Sequence, residues 1–150
     1  MQATASLLAK ARQRALETGL TYAGALLPAE AHALLQAQAG ARLVDVRTKA
    51  ELDWVGRIPG AVEVEWNSWP GSQPNADFIK QLQAIVPTGS PVLFLCRSGV
   101  RSHNAAVAAT QAGYTQSINV LQGFEGDKDP DGHRNNVGGW RKAGLPWTQS

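Results

Sequence analysis

Apolar and polar positions fall into blocks along this chain, each with its own period. Leu7, Leu8, Ala11 and Ala15 recur at the spacing of one helix face, so the segment Met1 to Leu20 is predicted to be helical. The run from Leu26 to Gly40 reads as a second helix, with Pro28 suited to its first turn, Glu30 to its positive end and Gly40 to its stop. Arg42 to Val46 predicts a short strand, Lys49 to Trp54 a short helix, and Ile58 to Ala61 a turn. Ala61 to Trp66 alternates and predicts a second strand, with a loop over Pro70 to Pro74.

From Asn75, the positions Phe78, Ile79, Leu82, Ile85 and Val86 mark the buried face of another helix, ended by Pro87 and Gly89. Pro91 to Leu95 is continuously apolar, the pattern of a strand covered on both sides in a parallel sheet. Arg101 to Ala112 is an alanine-rich helix capped by Gly113, and Ile118 to Leu121 is a further strand. Residues 123–139 are dense in Gly, Asp and Asn and read as a long loop before a short last helix over Gly139 to Ala143. Strands alternating with helices imply an α/β domain with a largely parallel sheet and helices on both faces. Ligands of such folds bind at the carboxyl ends of the strands, where Cys96 stands.

Composition narrows the functional classes. At 150 residues the chain fits one domain, divided here into a helical extension over 1–24 and the main domain over 25–150. No stretch has the ~18 uninterrupted apolar residues of a membrane span. A net charge of +2 with mixed signs gives no footprint for nucleic acid. Lys10, Arg12 and Arg14 interrupt any secretory signal. The expectation is a soluble cytoplasmic protein, an organellar transit peptide being the alternative for the basic N-terminal segment. A single cysteine excludes an intramolecular disulfide and paired-cysteine metal sites, and no metal or cofactor pattern is present. His32 and His103 read as structural or solvated, and the five tryptophans as packing.

Cys96 lies between a buried strand and a helix start, on a loop with Arg97, Ser98, Gly99, Val100, Arg101 and Ser102. Backbone N–H groups of a tight loop, the positive end of a helix and two arginines all favour thiolate over thiol. The same cradle suits a small anion beside the sulfur.

The segment CRSGVRS resembles the active-site loop of single-domain rhodaneses. LVDVRTKAELDWVGRIPGAVEV resembles the upstream signature of that family, and GGWRKAGLPW is a third match, so the likeness spans about Pro28 to Trp147. It implies a five-stranded parallel sheet flanked by helices, and sulfur transfer through a persulfide on Cys96, from a small anionic donor such as thiosulfate to cyanide or a thiol. Arg97 to Ser102 would cradle the donor, with Asp45 and Arg47 supporting the loop. Arg57 stands where the family often has histidine, adding charge in place of an imidazole. The long loop suggests a lid carrying His133 and Arg134, set against a plain surface excursion.

Two other functions compete. One is a cysteine phosphatase or arsenate reductase, disfavoured because four residues separate Cys96 from Arg101 where the phosphatase signature has five. The other is an interaction module or sulfur relay acting on a protein partner.

Overall fold

A computed structural model describes residues 2–149. Helix α1 (Gln2–Thr18) leads into strand β1 (Gly24–Leu26), then α2 (Pro28–Ala37), β2 (Arg42–Asp45), α3 (Lys49–Trp54) and β3 (Val62–Glu63). Helix α4 (Phe78–Ile85), β4 (Val92–Leu95), α5 (Val100–Gln111) and β5 (Ser117–Val120) follow. The five strands pair in parallel in the order β1-β5-β4-β2-β3.

Period-two alternation divides the central strands between two cores. Val92, Phe94 and Cys96 face one cluster with Phe78 and Leu82 of α4 and Ala105, Ala106 and Ala109 of α5. Leu93 and Leu95 face the other, with Ala11 of α1 and Ala31 and Leu34 of α2. Helices therefore cover both faces, and the alanines of α5 let it lie close to the sheet. The N-terminal helix is packed: Ala11 and Ala15 are buried, and Arg14 is ion-paired with Glu30 of α2.

Four expectations need correction. The edge strand β1 occupies Gly24–Leu26, which the apolar pattern alone assigned to no strand; three residues are too few to show a period. Strand β3 is two residues rather than six, although Val64 and Trp66 continue to donate to the Asp45 and Val46 carbonyls. The last helix is a single turn, closed by Ala143 N–H to the Gly139 carbonyl at 3.0 Å, and no helix forms there. Asn75 does not begin α4 but precedes it, accepting the Phe78 and Asp77 N–H groups in the turn before the helix.

The chain runs outward from β2 to β3, then crosses back to β4 on the other side of β2. This reversal leaves a crevice between the carboxyl ends of β2 and β4.

Candidate active site

The crevice is a cleft of about 750 Å³ lined after β2 by Thr48, Glu51 and Trp54 and after β4 by Cys96, Arg97, Ser98 and Arg101. Cys96 forms its floor and is only 1% exposed. Its Sγ accepts the Gly99 N–H at 3.1 Å and lies 3.3 Å from Ser102 Oγ. The sulfur is thus buried among hydrocarbon on one side and met by the Gly99 N–H and the Ser102 hydroxyl on the other.

Backbone geometry makes the cradle. Gly99 at the head of α5 adopts φ +116°, a conformation that costs a side-chain-bearing residue dearly. The first intrahelical bond of α5 runs from His103 N–H to the Gly99 carbonyl, so the amides of Val100, Arg101 and Ser102 have no acceptor within the helix. Behind the loop, Phe124 N–H holds the Cys96 carbonyl at 2.8 Å and Glu125 N–H holds that of Arg97 at 2.9 Å. With the Cys96 and Arg97 carbonyls tied back and the first amides of α5 free of helical acceptors, the loop has the makings of an anion-binding concavity. Gly123 permits this closeness: a Cβ there would stand 2.4 Å from the Cys96 carbonyl oxygen.

Arg101 is fixed by a residue that sequence reading missed. Its guanidinium makes a two-pronged pair with Glu51 of α3, at 2.7 and 2.9 Å. Glu51 also accepts from the Thr48 N–H and hydroxyl at the start of α3, so one carboxylate caps a helix and orients the arginine. Burial alone would raise the Glu51 pKa, but the hydrogen bonds and charge of Arg101, with those of Thr48, override it and hold the carboxyl at about 2. Burial likewise opposes the charge of Arg101, and Glu51 outweighs it, so the guanidinium stays charged. The threonine-to-glutamate spacing was a visible capping signal; the arginine partner, fifty positions away, was not.

Because the folded value of Glu51 lies below its ordinary 4.5, its stabilisation is complete above that pH and disappears as pH falls toward 2. Glu51→Gln is expected to flatten the acid limb of the stability profile by on the order of 2–3 kcal/mol. Urea midpoints measured between these pH values for both chains check this.

Asp45 and Arg47 form an ion pair with both side chains wholly buried. Arg47 also donates to the Gly56 carbonyl at 2.8 Å and lays its guanidinium 4.1 Å above the Phe124 ring. The pair therefore stands behind the loop, touching the residue whose N–H holds the Cys96 carbonyl. Arg57 is not brought to the cleft: Asp53 and Glu63 engage it, and its backbone bridges Thr148. In the long loop, Asp129 accepts the N–H groups of Asp131 and His133 and the amide of Asn136, which gives the segment an internal frame. Arg134 lines the cleft and donates to the Gly126 carbonyl, whereas His133 is exposed and outside it.

Trp54 and Trp69 overturn their reading as packing residues, since they line the cleft while 76% and 63% exposed. Asn119, at the end of β5, was also missed; it accepts from Ser102 at 2.6 Å and donates to the Gly99 carbonyl. Among the described residues no group of three or more His, Cys, Asp or Glu could hold a metal ion, and no helix is long and apolar enough to cross a membrane.

The family described as Rhodanese-like domain matches residues 27–129. The chain belongs to the rhodanese-like family. A protein named Uncharacterized protein RC0915, from Rickettsia conorii, is 37% identical over 122 residues, covering 79% of this rhodanese-like chain and 91% of the relative. Thiosulfate sulfurtransferase 16, chloroplastic, from Arabidopsis thaliana is 30% identical over 118 residues, covering 77% and 85%. The crystal structure of Rv0390 from M. tuberculosis superposes with a TM-score of 0.80 at 44% identity, covering 87% of this chain and all of that one. The membership and these likenesses support a sulfurtransferase-family role, and the resemblance first carried by the CRSGVRS segment stands.

Proposed function

We propose that this rhodanese-like protein is a thiosulfate sulfurtransferase working through a Cys96 persulfide. The observation that carries the reading is Sγ accepting the Gly99 amide on the cleft floor, at the positive end of α5 and beside charged Arg101. The Cys96 thiolate attacks the outer sulfur of thiosulfate, whose S–S bond breaks with its electron pair leaving on sulfite. A persulfide anion remains on Cys96, held by the loop amides of Arg97 to Ser102. Cyanide or a thiolate then attacks the terminal sulfur, giving thiocyanate or a new persulfide and returning the Cys96 thiolate. Asp45 and Arg47 support the loop from behind, and Arg57 has no part in it. A free thiol suits a reducing compartment such as the cytoplasm.

Initial rates of thiocyanate formation over a grid of thiosulfate and cyanide concentrations test this. Parallel double-reciprocal lines are expected from two successive transfers. Turnover of p-nitrophenyl phosphate without any thiocyanate would instead favour the phosphatase reading.

The lid narrows to Arg134, which we assign to binding the dianionic donor. Arg134→Ala is expected to raise KM for thiosulfate about three- to tenfold with kcat little changed, as for a group contacting donor before and during transfer alike. Unchanged KM in the same assay removes Arg134 from the site.

One observation favours a larger acceptor over cyanide. The cleft far exceeds the space thiosulfate needs, and exposed Trp54, Trp69 and Val100 rim it, which suits a thiol carried on a bulkier molecule or a protein. Sulfur loading followed by capture on immobilised Cys96→Ser and wild-type chains would separate a protein acceptor, held by the loaded state, from a small thiol.

A further inference from the structure

One charged group in the cleft works against an anionic donor. Glu125 is half-buried and lines the cleft beside the Cys96 loop, with its N–H on the Arg97 carbonyl at 2.9 Å and its own carbonyl accepting the Asn135 N–H at 2.8 Å. Neither of its carboxylate oxygens is a buried atom without a partner, so both are open to solvent. Arg134 belongs to the same wall, and its guanidinium donates to the carbonyl of the next residue, Gly126, at 2.7 Å. Among the described residues no ion pair involves Glu125, Arg134 or Arg97. The wall therefore offers the cleft one negative and one positive group that are neighbours in space but not joined.

Elsewhere in the cleft Arg101 and Glu51 neutralise each other, which leaves Arg97 and Arg134 against Glu125. That balance still favours an anion. A carboxylate so placed nevertheless repels thiosulfate, and no ion pair fixes it there for the sake of the fold. It suits a cation, which the donor half of the reaction does not bring. The indole faces of Trp54 and Trp69, exposed on the same cleft, attract cations as well.

In a double displacement sulfite leaves before the acceptor enters, so one wall meets two ligands in turn. We propose that the acceptor is a small amino-acid thiol, with an ammonium and a carboxylate close to its sulfur, and that Glu125 and Arg134 select it by binding those two groups. The inference rests on the Cys96 persulfide reading and names its second substrate. The acceptor gives its thiol proton to solvent, and its thiolate attacks the terminal sulfur of the persulfide. The S–S bond breaks with its electron pair returning to Cys96, and the acceptor leaves as a persulfide anion.

Two sets of rates test the proposal. Methanethiosulfonates modify Cys96 without any sulfur transfer, the thiolate forming a disulfide and expelling methanesulfinate. Rates with the cationic 2-aminoethyl and anionic 2-sulfonatoethyl reagents are each divided by the rate with the neutral methyl reagent, which cancels any change in Cys96 ionisation. Glu125→Gln is expected to lower the cationic ratio about three- to tenfold and to raise the anionic one, with both effects shrinking in high salt. The second set follows single-turnover loss of sulfur from the loaded chain to cysteamine, 3-mercaptopropionate and cysteine, each relative to 2-mercaptoethanol. Comparing variant with wild type then cancels the intrinsic reactivity of each thiol. Glu125→Gln is expected to lower the cysteamine and cysteine ratios about three- to tenfold, and Arg134→Ala to lower those of 3-mercaptopropionate and cysteine while sparing cysteamine. Unchanged ratios for Glu125→Gln in either set, or an unchanged cysteine ratio for Arg134→Ala, would overturn the proposal. A chain that loads with sulfur yet shows unchanged ratios fails this inference alone. A chain that all three reagents modify but that takes up no sulfur from thiosulfate fails the transfer reading, and the acceptor with it.

Discussion

Cys96→Ser is expected to lower thiosulfate-dependent thiocyanate formation by at least about a thousandfold while the fold persists. A hydroxyl fills nearly the same space as the thiol, accepts the same Gly99 N–H, and remains within reach of Ser102. It lies on the boundary of a hydrocarbon cluster, so the stability cost should be of order 1 kcal/mol. Its oxygen, however, is not ionised near neutral pH and forms no stable bond to a sulfane sulfur. Loss of turnover with a thermal midpoint close to that of wild type separates chemical from structural failure. Retained turnover would show that sulfur moves by a route not involving this residue.

The largest stability effect is expected at the buried pair behind the loop. Asp45→Ala strips Arg47 of its carboxylate partner at zero exposure, leaving one contact to the Gly56 carbonyl and the face of Phe124. An uncompensated charge at such depth costs about 3–5 kcal/mol. For a chain of this length that corresponds to a fall in thermal midpoint of roughly 10–20 °C. Removing both charges as Asp45→Leu with Arg47→Met is expected to recover much of the loss, because desolvating the pair opposes most of its attraction. Urea titrations of the single and double variants check this, and a double variant no better than Asp45→Ala would mean that the pair's geometry, and not its charge, holds the strand ends.

What the sequence disclosed follows from where the information sits. The Cys96 loop was legible because strand, nucleophile, glycine, arginine and helix start are adjacent in the chain, and the fold brings them together almost as written. Helix α3 was read at its observed bounds, and the Thr48 and Glu51 capping pair that fixes its start is a local signal that went unused. Strand β1 was not, because three residues at a sheet edge carry no period, and its place depends on pairing with β5 near the other end of the chain. The same reason hid Glu51 as the partner of Arg101, Asn119 as the partner of Ser102, and Tyr22 as the partner of His103. Trp54 and Trp69 misled in the opposite sense: large aromatics are usually packed, but here they stand over an open cleft. The family signature suggested that Arg57 adds charge in support of the site, yet Asp53 and Glu63 pair with it outside the cleft.

The central claim is that Cys96 carries a transferable sulfur, and intact mass after thiosulfate treatment addresses it most directly. A gain of about one sulfur atom on the wild-type chain, lost on adding cyanide and absent from Cys96→Ser, is the expected result. An unchanged mass under thiosulfate, with the thiol still free to react with iodoacetamide, would contradict it.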